Sequence, residues 1–366
     1  MTRRTEAIAV GVEEEFHLID AETRHLAFRS GELLGRLPKD RFGQELLRSA
    51  VEANSRPYTT LRALARDLAG LRGTLVTAAE GLGLGIVAAG SVPLGEVEGM
   101  KVSPDPRYEQ MLDHYQHLTR EQLICGTQVH AEIDDPDLAV LVSHRLAPWL
   151  GPLLALSCSS PYWLGADTGY ASYRTLVWRR WPTSGPMAWY GTAADYGRMV
   201  AGLVRSGVIS DPGMIYFDVR PSAHVPTVEL RVCDSCPRVD DIVLIAGLFR
   251  ALVARELDAA RRDREREVPL EPVRAATWQA ARSGLERELV DPDDGTPRPA
   301  AEVVGRMVAG LRPRLEATGD WELVSGLVCD ALARGSSAER QRRALARRGR
   351  MTDVVDLLLA ETRSGT

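Results

Sequence analysis

The sequence predicts an α+β fold, a sheet with helices packed on one side. Strand-like segments are scattered along the first two thirds of the chain and separated by helical ones, while the last third, from about Val239, is helical. Four of the strand-like segments also alternate with period two, so each has one polar and one mostly apolar face.

In chain order, apolar flanks around "GVEEEF" mark a buried strand over Ile8–Asp20, followed by a second near Ser49–Asn54. "TTLRALARDLAGLRGTLVTAAEGLG" spaces its leucines as a helix does and stops in glycines. "LGIVAAG" reads as a buried strand entering the turn "GSVPLG". A helix over Pro106–Leu123 leads into the strand "ICGTQVHAEID", and Asp134–Asp135–Pro136 opens one long apolar helix to about Ser157. The Trp-, Gly- and Pro-rich stretch Ser160–Gly191 is irregular, a helix follows near Ala193–Ser206, and "MIYFDVRP" and "PTVELRVCD" supply two more strands. "EVPLEPV" and "DPDDGTPRP" interrupt the helical last third, in which "ERQRRALARRGR" reads as a solvated helical face.

The 366 residues, 45% hydrophobic, suffice for one large domain or two small ones, and no repeat or low-complexity linker divides them. A net charge of −5 argues against general attraction to nucleic acid or membrane surfaces. Leu138–Ser157 is interrupted by His144 and Arg145, which argues against a membrane span. The charged start "MTRRTEA" is unlike a signal peptide, and five cysteines, an odd number, suit a reducing compartment, so a cytoplasmic protein is expected.

The polar strand faces hold the candidate chemistry. Strand alternation puts Glu13 and Glu15 on one face and Glu14 on the other. It groups Gln128, His130 and Glu132, then Tyr216, Asp218 and Arg220, then Thr227, Glu229 and Arg231. A half-exposed sheet also alternates, but acidic residues are depleted in strands, and these faces repeat acid–x–acid, His–x–acid and acid–x–Arg. Close carboxylates need cations, hard divalent ions such as Mg²⁺ suit oxygen ligands, and interleaved arginines suit phosphate or carboxylate. Together these residues point to nucleotide-dependent phosphoryl transfer. GxxxxGK[ST], HExxH and GxSxG are all absent, and "GLGLGIVAAG" precedes a strand instead of following one. "CDSC" (Cys233–Cys236) reads as structural, His130 as the one ligand histidine, and His17 as peripheral.

Through "GVEEEFHLID", "RYEQML", "ICGTQVHAEI", "LALSCSSPYWLGADTGYASYR", "WPTSGP", "YFDVRPSAHVPTVELRVCD" and "DGTPRP", the chain resembles the bacterial carboxylate–amine ligases classed as glutamate–cysteine ligase type 2. The resemblance runs through nearly the whole chain, with the blocks in the family's order. It implies a single catalytic domain over residues 1–366, glutamine-synthetase-like, with an antiparallel sheet curved around a metal–ATP site. It further implies ATP and Mg²⁺ as cofactors, small-molecule carboxylate and amine substrates joined through an acyl phosphate, and weak glutamate–cysteine ligase activity. Oligomeric state stays open, a homo-oligomer included.

Carried over by position, the resemblance makes Glu13, Glu15, Glu45, Glu52, His130 and Glu229 metal ligands. Arg231 and Arg220 become catalytic arginines near the transferred phosphate, and Arg174 joins them as a nucleotide or substrate contact. Two departures bear on the substrate pocket: Val92 replaces a histidine in the family's Gly-Thr-His-Pro turn, and Gln128 replaces the first histidine of His-Val-His. Two other readings stand beside the ligase: a guanidino-kinase-like phosphotransferase, and a nucleotide-binding protein without turnover.

Overall fold

The computed structural model describes residues 8–263 and 267–364. The first seven residues, from which a signal peptide was argued against, lie outside the described residues, as do the other ends of the 1–366 domain assignment at 365–366.

The chain begins with β1 (Val10–Asp20), α1 (Ser30–Leu34), β2 (Phe42–Gln44), β3 (Ala50–Asn54), α2 (Leu61–Glu80) and β4 (Leu84–Val87). Next come α3 (Pro106–Tyr115), α4 (His117–Arg120), β5 (Thr127–Glu132), α5 (Pro136–Arg145) and α6 (Leu150–Ser157). A small hairpin, β6 (Tyr162–Trp163) and β7 (Ala166–Asp167), precedes α7 (Tyr173–Trp178) and α8 (Ala193–Arg205). After β8 (Val219–Pro221) and β9 (Thr227–Leu230) come α9 (Val239–Arg262) and α10 (Leu270–Ser283). A second hairpin, β10 (Glu288–Val290) and β11 (Pro297–Pro299), leads to α11 (Ala300–Thr318), α12 (Trp321–Arg334), α13 (Ser337–Arg348) and α14 (Met351–Arg363).

The main sheet is antiparallel at every pairing and runs β2-β3-β1-β5-β9-β8, with β4 also on β1. β1 is the pivot. Its first half pairs with β5, its middle with β3 and its end with β4. One sheet face is apolar: Val10 and Val12 of β1, Val129 and Ala131 of β5, and Val228 and Leu230 of β9 pack on helices in one buried cluster. Leu61, Leu64 and Leu68 of α2 and the apolar residues of α9 cover that face, so the expected α+β layering is present. The opposite face is free to carry charge.

Two expected helices are broken. Asp135 caps α5 through Asp137 N and Leu138 N, but the chain tightens into a 3₁₀ turn at Ala147–Trp149 and bends by 45° before Ser157. Pro148 in that turn has no N–H to continue the ladder. The Pro106–Leu123 helix stops at Tyr115, because Gln116 takes φ 50. The strands around 124–134, 214–221 and 226–234 are also shorter than expected, and the irregular stretch at 160–191 contains the first hairpin and α7. No single helix among the described residues is long and apolar enough to cross a membrane.

Candidate active site

The polar sheet face forms the floor of a cleft of about 640 Å³ lined by Glu13, Glu15, Glu45, Glu52, Gln128, Arg174, Arg220 and Arg231. Register assembles it: Glu15 sits opposite Glu52 across β1–β3, Glu13 opposite Gln128 across β1–β5, and His130 opposite Glu229 across β5–β9, with Arg220 on Glu229's other side. Glu45 joins from the loop after β2.

The six expected metal ligands fall into two groups of three. Glu15, Glu45 and Glu52 offer oxygens within 4.8 Å of one another, as do ligand atoms of Glu13, His130 and Glu229. In the first group, burial pushes Glu45 and Glu15 up, and holds Glu52 up at about 7, with the neighbouring carboxylates adding to the rise at Glu45 and Glu52. Glu45 and Glu52 lie close enough to share a hydrogen bond. Glu15 is oriented by Gly126 N–H (2.6 Å) and by Gln128 Nε2 (3.0 Å). An all-oxygen set of mutually repelling carboxylates fits a hard divalent cation.

The second group is built differently. His130 Nδ1 bonds Thr227 Oγ1 at 2.8 Å, while its buried Nε2 lies 3.2 Å from Glu13 Oε1 without a hydrogen bond. A ring fixed on one nitrogen and open on the other suits metal ligation. Burial would lower the imidazole's pKa, but Glu13 and Glu229 outweigh it and raise it. Glu229 is bonded by Arg220 Nε (2.9 Å) and by Arg231. Burial works against its charge, yet the two guanidinium groups hold it down at about 2. Glu229 is therefore a ready anion, already bound by arginine.

The arginines come from three places: Arg220 from β8, Arg174 from α7 and Arg231 from just past the end of β9. Arg231 N and Val232 N both donate to Asp218 O (2.8 and 3.2 Å), which ends β9 at Leu230. Arg220 also reaches Gly213 O (3.1 Å) and Ile215 O. Arg174 comes from α7, whose start is anchored on buried Asp234: Ser159 N, Ser160 Oγ and Ser172 Oγ all donate to that carboxylate, and Ser160 Oγ accepts from Arg174 N. This network explains "SCSSPY" and "CDSC"; the C-x-x-C spacing draws the eye to the two cysteines, while the serine partners of Asp234 lie far along the chain. The two cysteines of "CDSC" are buried and unpaired, as a structural reading expects, and burial pushes the Cys233 thiol up to about 12.

Three expectations change. His17 is not peripheral: it lines the cleft at 1% exposure, its Nε2 has no partner, and burial lowers its pKa to about 4. Val92 is not a cleft residue but packs with Ile19, Val87 and Tyr162 in a core cluster. Asp218 leaves the shared face with Tyr216 and Arg220 to pair with Arg179 (2.7 Å). Glu14 does point away from the cleft, yet it is fully buried against Arg72.

The fold is of the glutamate–cysteine ligase type. The crystal structure of a glutamate–cysteine ligase from Francisella tularensis in complex with AMP superposes with a TM-score of 0.72 at 11% identity, covering 98% of this chain and 90% of that one. A bifunctional glutathione synthetase from Pasteurella multocida gives 0.72 at 15% identity, over 99% of this chain and 53% of that one. At these identities the likeness concerns the fold alone. Residues 9–357 match glutamate–cysteine ligase family 2 (GCS2), and the chain belongs to that family.

A protein provisionally named glutamate–cysteine ligase 2-3 from Frankia alni is 58% identical over 357 residues, 97% of this chain but 42% of the relative. One from Mycolicibacterium smegmatis, provisionally named glutamate–cysteine ligase 2-2, is 55% identical over 355 residues, 96% of this chain and 89% of the relative. The chain spans less than half the length of the relatives from Frankia alni, Frankia casuarinae and Rhodococcus jostii, at 42%, 42% and 45%.

Proposed function

We propose that this protein is an ATP-dependent carboxylate–amine ligase that forms an amide through an acyl phosphate, with L-glutamate and L-cysteine as the first substrate pair to test. One observation carries the reading: the Glu15–Glu45–Glu52 group, Glu13 of the second three-ligand group and Arg174, Arg220 and Arg231 all line one cleft. Family membership and the fold shared with the AMP-bound Francisella enzyme support it.

In this reading Glu15, Glu45 and Glu52 hold one Mg²⁺, and Glu13, His130 and Glu229 hold a second. The bound ions supply charge neutralisation for nucleotide phosphates. Arg231 and Arg220 stabilise negative charge on the transferred phosphoryl group, and their shared hold on Glu229 fixes them before substrate arrives. Gln128 couples the two groups, because its amide bonds Glu15 and accepts from Arg231 at 2.5 Å. The carboxylate substrate takes the phosphoryl group, the amine attacks the acyl phosphate, and phosphate leaves as the amide forms.

Purified protein with ATP, Mg²⁺, glutamate and cysteine is expected to release ADP and phosphate with a γ-glutamyl product, detected by coupled ADP assay and mass spectrometry. A phosphorylated product that survives without an amine would make the protein a phosphotransferase. ATP binding with no ADP from any carboxylate–amine pair would make it a binding protein without turnover.

A further inference from the structure

Trp178, the last residue of α7, lines the cleft among the charged residues. Two guanidinium groups lie over its ring: Arg174 Cζ is 5.6 Å from the centroid and Arg231 Cζ is 5.8 Å. Both distances fall within the range at which an aromatic face attracts a cation. The indole is itself fixed, since Nε1 donates to Tyr216 O (3.3 Å) and the ring packs on Tyr216 at 4.8 Å between centroids.

The two arginines come from different elements and touch: Arg174 Nη2 donates to Arg231 O at 3.3 Å, and Nη1 to Val232 O at 3.2 Å. Both terminal nitrogens of Arg174 are therefore engaged, and Arg231 Nη1 is held by Gln128 and Glu229. The Nε–H of each is buried and has no partner in the protein. Buried unpaired donors are unfavourable, so a pair of them on neighbouring cations points to an anionic ligand. The one indole lies within about 6 Å of both guanidinium groups, so it contacts each of the two cations that the cleft brings together.

We propose that Trp178 is a positioning residue, a shared π platform that holds Arg174 and Arg231 together so that both serve one phosphoryl or acyl-phosphate oxyanion. The proposal rests on the reading that the cleft takes ATP. It assigns Trp178 to the phosphate end of the ligand and not to a base-stacking role.

The test compares wild type, Trp178→Phe, Trp178→Met and Trp178→Leu by isothermal titration with Mg²⁺ plus ATP and, separately, with AMP. Trp178→Met keeps bulk without an aromatic face, and Trp178→Phe keeps the face without Nε1. Loss of two cation–π contacts is expected to weaken ATP binding by about tenfold in the Met and Leu variants. AMP affinity should stay at the wild-type value, and the Phe variant should bind ATP within about threefold of wild type. Where turnover is measurable, kcat should fall in the Met variant with KM for the amine unchanged. An equal loss of ATP and AMP affinity would mean that the indole stacks on the base, and would overturn the proposal. So would unchanged ATP affinity in the Met variant while wild type binds ATP. Wild type that binds no ATP would overturn the ligase reading and this one together.

Discussion

Glu14 and Arg72 form an ion pair in which both side chains are fully buried, with Arg72 Nε 3.0 Å from Glu14 Oε1. Arg72 also donates to Cys236 O (2.7 Å) and Pro237 O (2.6 Å), tying α2 to the turn that opens α9. The middle glutamate of "EEE" is thus remote from the cleft yet not dispensable. Glu14→Gln is expected to lower stability by about 3 kcal/mol, since it leaves the Arg72 charge without its counter-ion. Denaturant unfolding would read the loss, while activity per folded molecule should be near wild type. A Glu14→Gln variant as stable as wild type would contradict this account.

The Glu15–Glu45–Glu52 group gives a pH signature. Glu52 rises from an ordinary 4.5 to about 7. A carboxyl group with a raised folded-state pKa stabilises the fold below its unfolded value and loses that contribution as pH rises through the folded value. Without metal, the melting temperature is therefore expected to fall between about pH 4.5 and 7, and Glu52→Gln should flatten the fall. Added Mg²⁺ should raise the melting temperature more at pH 8 than at pH 6 and release protons on binding, read as a buffer-dependent calorimetric enthalpy. An Mg²⁺ effect independent of pH would remove Glu52 from the ligand set.

Gly126 is required by crowding. A Cβ at this position would collide with the Arg174 guanidinium group, and the residue's own N–H orients Glu15. Gly126→Ala is expected to displace Arg174 and reduce turnover by at least about tenfold, with a loss of stability of about 1–3 kcal/mol from the overpacked contact. Full activity in this variant would show that Arg174 is not needed where it now lies.

His17 works in the opposite pH direction. Its pKa falls from 6.5 to about 4, because burial disfavours the charged ring, with a backbone hydrogen bond to Ala89 opposing the drop. A histidine with a lowered folded-state pKa contributes stability above its unfolded value, and that contribution is lost as pH falls from about 6.5 towards 4. His17→Phe should therefore show a shallower loss of melting temperature over that interval. In NMR, the His17 ring should not titrate between about pH 5.5 and 8.

Much of the site was legible because strand alternation is strict. Period two separated Glu14 from Glu13 and Glu15, and grouped Gln128 with His130 and Glu229 with Arg231, with no knowledge of pairing. Sequence periodicity does not encode which strands become neighbours, so nothing in it divided the six ligands into two sets or paired Glu15 with Glu52. Glu45 was beyond pattern reading altogether, being a loop residue recognised only through family resemblance. Arg72 and Asp234 were missed for a related reason: the partners of each lie far along the chain, where no local pattern links them. The long apolar helix failed at Pro148, where hydrophobic spacing outweighed a breaker that the sequence displayed openly.

β1 supplies one residue to each candidate ligand group and pairs with strands near and far along the chain, β3 nearby and β5 well beyond α2 and α3. Glu229, of the second candidate group, comes opposite His130 only when β9 joins β5. Such pairings are distant in sequence and slow to form, because loop closure precedes any gain from the contact. The carboxylates must therefore be brought together against their own repulsion during the late steps of sheet closure. Proton or cation supply during folding is therefore expected to change how fast this protein reaches its native state, which refolding followed by stopped-flow fluorescence with and without Mg²⁺ would read.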